Sequence, residues 1–369
     1  MMKFNLNVPT EIIFGEDVIK NNYIKFEDEG NVALIVTGNK SSKFNGALKD
    51  VLDALDRLNK DYYIFDKVEE NPSLETIEKG SSLGRGVNAD FVIGIGGGSS
   101  LDAAKAIAMM IRNKNVTKEN IFDFKDLEAL PVIAIPTTSG TGSEVTQYSI
   151  VTDNKNHTKR NLGQTIYPKI AFLDPKYTEK LSVQITRNTA MDAFSHIVEG
   201  YLNSNSTEYT DKLAIEALKY FSEALDSLLK GDFSRKDREN MMIASTIAGG
   251  IIAHNGTSIP HGMGYALTYN KGIPHGLSNC CLYPEYLKTF KDHKKLNNII
   301  SILGFSSLKD LNKNIKRLST VNVKISEDEI KEYTDNIWNN KEKLKNHPEE
   351  ITYDELYKIY YNSLIGSNI

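Results

Sequence analysis

At 369 residues the chain exceeds one ordinary domain and suggests two, each long enough to bury its own core. Hydrophobic content of 40% and charged content of 25% are those of a globular protein in water, and a net charge of −4 gives no electrostatic footing for nucleic acid or a membrane surface. The adjacent Cys280 and Cys281 make no disulfide or zinc-ribbon framework, the opening MMKFNLNVPTEIIFG lacks a signal-peptide core, and no apolar run reaches about 18 residues, so the expected home is the reducing cytoplasm.

In chain order, FNLNVPTEIIFG reads as two short strands broken by Pro9 and closed by Gly15. The unbroken apolar, β-branched run in NVALIVTGNK predicts a strand buried on both faces. Leu48, Val51, Leu52, Leu55 and Leu58 recur at helical spacing over 44–59; DYYIFD reads as a strand, and 73–87 as a helix leading into the strand ADFVIGIG. A helix over 99–112, a strand PVIAIPTTS at 131–139 and β-rich sequence to about residue 174 follow. This alternation implies a parallel sheet with helices on its faces. Beyond Asp174-Pro175 strand signals give way to amphipathic helical patterns over 188–203, 207–230, 236–255, 279–290, 293–304, 307–317, 326–338 and 352–365. The expected organisation is an α/β domain over 1–178 and an all-helical domain over 179–369.

FVIGIGGGSSLDAAKAIA runs an apolar strand into Gly96, Gly97, Gly98 and Ser99 and on into a helix. Glycines without Cβ let backbone N–H groups approach a ligand, and the helix N-terminus adds unpaired donors and partial positive charge, which together make a phosphate cradle. The spacing follows neither the Rossmann GxGxxG nor the P-loop pattern. Capping alone, with Ser99 as N-cap and Asp102 at N3, would need the serine but not three glycines. In IPTTSGTGSEVT, residues 135–146, Thr137, Thr138, Ser139, Thr141, Ser143 and Thr146 carry hydroxyls with glycines between. Such a loop suits an oxygen-rich ligand, a ribose or diphosphate, or else a capped polar turn. Two such loops at strand ends of one parallel sheet fit the crevice where open α/β sheets bind ligands, and together favour a dinucleotide.

The stretch HNGTSIPHGMGYALTYNKGIPHG, 254–276, places His261 and His275 each in a Pro-His-Gly phrase, where proline and glycine fix the backbone and keep bulk from the ring. In NTAMDAFSHIVEGY, Asp192 and His196 are four apart and project from one helix face. A carboxylate and an imidazole at that spacing chelate a divalent ion as the histidines of HExxH do, although the pair is also ordinary surface chemistry. With His261 and His275 they make a mixed nitrogen and oxygen set suited to Fe(II) or Zn(II), with room for a substrate oxygen. His254 reads as a capping or core histidine, and His157 and His293 as exposed.

In this order PTEIIFG, GGGSSLDAAKAIA, PTTSGTGSEVT, AFLDP, MDAFSHIVEGY and the paired PHG phrases resemble the iron-containing (group III) alcohol dehydrogenases, which share the dehydroquinate-synthase-like fold. The resemblance covers nearly the whole chain and thins after about residue 290. It implies a metal-dependent enzyme that moves a hydride between NAD(P)(H) and a small primary alcohol or aldehyde, working as a homodimer or larger assembly. By position it implies Asp192, His196, His261 and His275 as metal ligands. It likewise implies Gly96, Gly97, Gly98, Ser99 and Asp102 as the pyrophosphate loop, Thr137, Thr138 and Thr141 along the ribose and nicotinamide half, and Lys159 near the nicotinamide ribose.

Two positions depart from the common family pattern. Many NAD-dependent members end the VALIVT strand with an aspartate that holds the adenosine ribose; here Gly38 is followed by Asn39, Lys40, Ser41, Ser42 and Lys43. Loss of the anion with gain of hydroxyls and two cations suits NADP(H) over NAD(H). Four residues after the third ligand many members carry a histidine; here Tyr265 stands, as a substitute proton relay or a pocket wall. Met263, Tyr265, Leu267 and Tyr269 suggest a mainly apolar pocket, which leaves a polyol (glycerol-type) or hydroxy-acid dehydrogenase open as alternatives. A dehydroquinate-synthase-like lyase would need several cations around a sugar phosphate, and 188–203 with 254–276 offer Lys271 alone. A catalytically silent nucleotide-binding protein sits poorly with all four ligand positions filled.

Overall fold

The computed structural model describes residues 4–341 and 343–366. They form two compact units, Asn7–Leu181 and Ser182 onward, with residues 4–6 grouped with the second. The break lies slightly past 178 because the turn after Pro175 is still closed by Leu181 N–H donating to the Thr178 carbonyl. Residues 4–6 join the helical unit where the Phe4 ring stacks on Tyr209, centroids 4.9 Å apart.

In the first unit β1 (Glu11–Phe14), β2 (Val32–Gly38), β3 (Asp61–Val68), β4 (Phe91–Gly96) and β5 (Val132–Pro136) are followed by a separate antiparallel hairpin, β6 (Ile150–Asp153) and β7 (Thr158–Asn161), and then by β8 (Ile170–Leu173). The six-stranded sheet is parallel throughout, in the order β1-β8-β5-β4-β2-β3. Of the two strands expected before Gly15 only β1 forms; Pro9 has no N–H to give a ladder. The helices of this unit are α1 (Val18–Asn21), α2 (Ser41–Asn45), α3 (Ala47–Arg57), α4 (Leu74–Gly86) and α5 (Gly98–Arg112).

The alternation of strands and helices predicts a sheet covered on both faces, and β2 shows how its residues enforce that. Leu34 and Val36 pack with α4 and α5, whereas Ala33 and Ile35 face the other way into a core with α1 and α3. Each fully buried Val, Leu or Ile contributes about 1.5–3 kcal/mol, so a strand apolar on both faces is stable only between two helical layers. After β3 at one edge the chain crosses back to place β4 on the other side of β2. The direction of strand addition therefore reverses between β2 and β4, and the C-terminal ends of β2, β4 and β5 line one edge of the sheet. All three nucleotide-directed segments of the sequence fall on that edge.

The second unit is helical: α6 (Val183–Tyr201), α7 (Glu208–Lys230), α8 (Arg235–Asn255), α9 (Ile259–Lys271), α10 (His275–Cys280), α11 (Tyr283–Tyr286), α12 (Lys294–Ile302), α13 (Leu308–Ser319), α14 (Glu327–Asn339) and α15 (Tyr353–Leu364). One hydrophobic cluster runs through it. The starts of α7, α8, α14 and α15 are capping boxes built by Thr207, Ser234, Ser326 and Thr352 with the residue three positions on. Helix α9 is not expected from composition, since Pro260, Gly262 and Gly264 lower helix propensity. Burial of Ile259, Met263 and Leu267, four apart on one face, overrides that preference. Among the described residues no helix is long and apolar enough to cross a membrane.

Candidate functional site

Both Pro-His-Gly phrases are helix starts. Pro260 stands in the first turn of α9 and Pro274 precedes α10, where a proline's missing N–H costs no hydrogen bond. His261 and His275 are thereby held at the beginnings of two rigid elements, and α6 supplies Asp192 with His196 one turn further on. Ligand atoms of Asp192, His261 and His275 lie within 4.8 Å of one another. Asp192 Oδ1 is 3.8 Å from His261 Nε2 and 3.9 Å from His275 Nε2. His196 is outside that triplet; its ring lies nearly parallel to His261, centroids 4.6 Å apart. The Tyr265 ring stacks on His275 at 5.7 Å.

Asp192 and His261 are almost fully buried, and Asp192 Oδ1 and His261 Nε2 have no hydrogen-bond partner among the described residues. Buried polar atoms in that state are costly, and a native fold keeps them where something else satisfies them. One carboxylate oxygen converging with imidazole nitrogens is the donor set of Fe(II) or Zn(II). The residues present therefore fit a divalent ion.

Reading the sequence for ligands passes over Glu199. It follows Asp192 and His196 at the i+7 position of the same helical face, a signal that was available in SHIVEG. The side chain is fully buried; Oε1 lies 2.7 Å from His261 Nδ1 and 3.0 Å from Tyr283 Oη, and Oε2 accepts the Ser258 N–H at 2.6 Å. Burial works to raise its carboxyl pKa, but the His261 ring and these donors outweigh it and hold it below the ordinary value.

Gly276 is needed for a different reason than its neighbour's ring. A Cβ there would run into the Asn188 carbonyl oxygen and stand 2.8 Å from the Asp192 nitrogen, so α10 touches α6 backbone to backbone. Backbone cannot rotate away as a side chain does. Gly276→Ala is expected to lower stability by roughly 1–3 kcal/mol, as overpacking does, and to push His275 away from Asp192. Thermal melting and bound-metal content would check this; unchanged values for both would show that the contact yields.

In the α/β unit the two hydroxyl- and glycine-rich loops meet. A Cβ on Gly97 would stand 3.1 Å from Thr138 Oγ1, and one on Gly98 2.8 Å from Thr141 Oγ1. Thr137 N–H donates to the Gly96 carbonyl, joining the ends of β5 and β4, and Gly96 has a φ of 150° that L side chains rarely adopt. Ser139 Oγ is buried with no partner among the described residues. These features fit a dinucleotide, whose oxygens would take backbone N–H groups and hydroxyls that side chains on the glycines would cover.

Asp102 and Lys105 anchor this loop from beneath. Asp102 Oδ1 accepts the Ser143 hydroxyl at 2.6 Å and Oδ2 the Ile150 N–H at 2.9 Å, so each carboxylate oxygen has a partner within the protein. Lys105, fully buried, donates to Ser143 Oγ, the Thr146 carbonyl and the Tyr148 carbonyl, each at 2.8 Å. Burial raises the Asp102 pKa and pulls Lys105 down to about 8, while their mutual attraction opposes both shifts. Ser99 Oγ accepts the Asn71 N–H at 3.1 Å.

At the end of β2, Gly38 is followed by exposed Asn39, Lys40, Ser41 and Lys43. Lys43 pairs with Asp66 on β3 at 2.8 Å, and Lys67 lies 3.2 Å from the same carboxylate, whose pKa these lysines lower. Asp66 is an acidic neighbour that the sequence pattern does not single out. Lys159 is buried on β7. His254 Nδ1 lies 2.8 Å from the Gly250 carbonyl in the last turn of α8, and His157 and His293 lie in the β6–β7 turn and at the start of α12.

Residues 9–175 match the family model for the iron-containing alcohol dehydrogenase, and residues 186–364 that for the C-terminal part of the same family. The chain is 30% identical to an NADPH-dependent butanol dehydrogenase of Clostridium saccharobutylicum, with all of both chains covered. It is 31% identical to a lactaldehyde reductase of Escherichia coli over 74% of this chain and 72% of that one. Among solved structures, an iron-containing alcohol dehydrogenase of Thermotoga maritima superposes with a TM-score of 0.90 at 38% identity, covering 99% of each chain. With both family segments matched along the same fold, the chain belongs to the iron-containing alcohol dehydrogenase family.

Proposed function

We propose that this enzyme interconverts small aldehydes and primary alcohols, with NADP(H) preferred to NAD(H) and a divalent metal, Fe(II) or Zn(II), held by Asp192, His196, His261 and His275. The observation that carries the metal assignment is the unpartnered, buried pair of Asp192 Oδ1 and His261 Nε2 beside His275. When bound, a divalent ion supplies positive charge against the negative charge that develops on the substrate oxygen, worth several kcal/mol. The protein's part is to hold the donors rigid, since they stand on three helices rather than on loops. Tyr265 walls the site by stacking on His275, and its hydroxyl is the group offered here as proton relay. Gly96, Gly97, Gly98 and Ser99 would carry the pyrophosphate, with Thr137, Thr138, Thr141 and Lys159 toward the nicotinamide half. Asp102 acts beneath that loop by holding Ser143 and Ile150.

Preference for NADP(H) is supported by the segment Gly38, Asn39, Lys40, Ser41 and Lys43, and by the relative named an NADPH-dependent butanol dehydrogenase. Lys40, Lys43 and Lys67 stand at these strand ends with Asp66, Glu69 and Glu70, and Asp66 is the carboxylate that Lys43 and Lys67 engage. One charge-assisted contact to a 2′-phosphate is worth about 1.5–3 kcal/mol, or about 10–100-fold in affinity. The test is a panel of butanal, lactaldehyde, glyceraldehyde and a 2-oxo acid with NADPH or NADH, after Fe(II) or Zn(II) reconstitution. The expected result is the highest kcat/KM with butanal and NADPH, and a smaller NADPH advantage in Lys40→Ala/Lys43→Ala. Better turnover with NADH would overturn the cofactor assignment, and a preference for glyceraldehyde would move the enzyme to the polyol class. A homodimeric or larger assembly and a cytoplasmic location belong to the same proposal, the first checked by light scattering on the purified protein.

A further inference from the structure

We infer that Glu199 is a positioning residue for the metal centre: it fixes His261 with the proton on Nδ1, so that Nε2 presents its lone pair toward Asp192, and it supplies the second buried negative charge that a divalent cation balances. The inference rests on the proposal that Asp192, His196, His261 and His275 hold the metal. Its geometry is specific. Glu199 Oε1 is 2.7 Å from His261 Nδ1, while Nε2 of the same ring is 3.8 Å from Asp192 Oδ1, so the carboxylates engage opposite edges of one imidazole. In a neutral imidazole, the ring nitrogen that donates to a carboxylate carries the one proton and leaves the other nitrogen's lone pair open, which is the form a metal takes.

The carboxylate is itself held. Ser258 N–H, just before α9, donates to Oε2 at 2.6 Å, and Tyr283 Oη lies 3.0 Å from Oε1 and 2.9 Å from the Ser195 carbonyl. Glu199 on α6 thus ties together the start of α9 and Tyr283 of α11, the elements around His261. Charge points the same way. Asp192 and Glu199 are both buried, and the ion pairs formed by them are with histidines. Two carboxylates gathered on one imidazole in a low-dielectric interior match a divalent cation better than a monovalent one, whose single charge would leave one carboxylate uncompensated. A carboxylate placed only for packing would need neither contact with the ring nor a backbone donor of its own.

The test compares Glu199→Gln with wild type and with His261→Ala, titrating Zn(II) into each metal-free full-length protein against a competing chelator. Glu199→Gln is expected to bind Zn(II) about 10–100-fold more weakly, the usual cost of losing such an outer partner. Its NADPH affinity, a property of the other unit, should stay unchanged. If His261→Ala loses Zn(II) while Glu199→Gln binds as wild type, the positioning role is overturned and the ligand assignment stands. If His261→Ala also binds Zn(II) like wild type, the ligand assignment itself fails. Because a buried glutamine could prevent folding, nitrogen NMR of histidine-labelled wild type gives an independent reading. Nδ1–H on His261 with Nε2 shifting upon Zn(II) addition supports the role, and an Nε2–H tautomer in the loaded protein overturns it.

Discussion

His261→Ala is expected to release the metal and lower kcat/KM by about 10³-fold or more. The argument starts from position: His261 stands in the first turn of α9, its Nε2 toward Asp192 and its Nδ1 on Glu199. Truncation removes a donor from the centre and leaves two buried carboxylates with no imidazole between them. Loss of about 4 kcal/mol of charge stabilisation in the transition state corresponds to about three decades in rate. Metal content after dialysis should fall in parallel with turnover. The α/β unit lies in a separate part of the chain, and NADPH titration by fluorescence should be unaffected. Near-normal turnover by a metal-depleted His261→Ala sample would sink the assignment.

A second large effect is expected in the other unit, from Lys105→Met. Methionine keeps most of the buried length but removes a donor from Ser143 Oγ and from the carbonyls of Thr146 and Tyr148. It also leaves the half-buried Asp102 carboxylate without its nearest cation. Breaking a buried charged network by removing one partner costs about 3–5 kcal/mol. For a unit of this size that corresponds to a melting temperature about 6–20 °C lower. NADPH affinity should fall with it, because the segment that loosens is the one carrying Thr137, Thr138 and Thr141. A melting temperature and NADPH affinity equal to wild type would show that the network does not hold the loop. Turnover alone would not separate this from damage to the metal centre, so calorimetry and cofactor titration are the informative measurements.

Much of the fold was legible because its signals are local. VALIV is apolar and β-branched without interruption, and only a strand between two layers buries all of it. Ser and Thr caps three residues ahead of a reciprocating side chain mark the starts of α7, α8, α14 and α15 to within a residue or two. Helix α9 escaped because propensity and periodicity disagree there: Pro260, Gly262 and Gly264 argue against a helix, whereas Ile259, Met263 and Leu267 argue for one. Packing decides such conflicts, and packing is not in the local sequence.

The candidate site divides in the same way. Residue type and spacing alone singled out Asp192, His196, His261 and His275, and the glycines and threonines of the two loops, because chelation and phosphate binding restrict which side chains can serve. Glu199, despite its i+7 place on the Asp192 face, and Lys105 were passed over for the converse reason. A glutamate in SHIVEG and a lysine in DAAKAIA read as ordinary charges on helix surfaces, and only burial turns them into the partners of His261 and Ser143. Likewise Asp102 reads as part of the phosphate loop, and only the structure shows that its oxygens also accept from Ser143 and Ile150. Chain composition and motif order thus determined the family, the two-unit organisation and the chemistry on offer. Which charges are buried, which ring edge faces which carboxylate, and why Gly276 must lack a side chain were decided by tertiary contact, since a charge acquires its strength only when water is taken away from it.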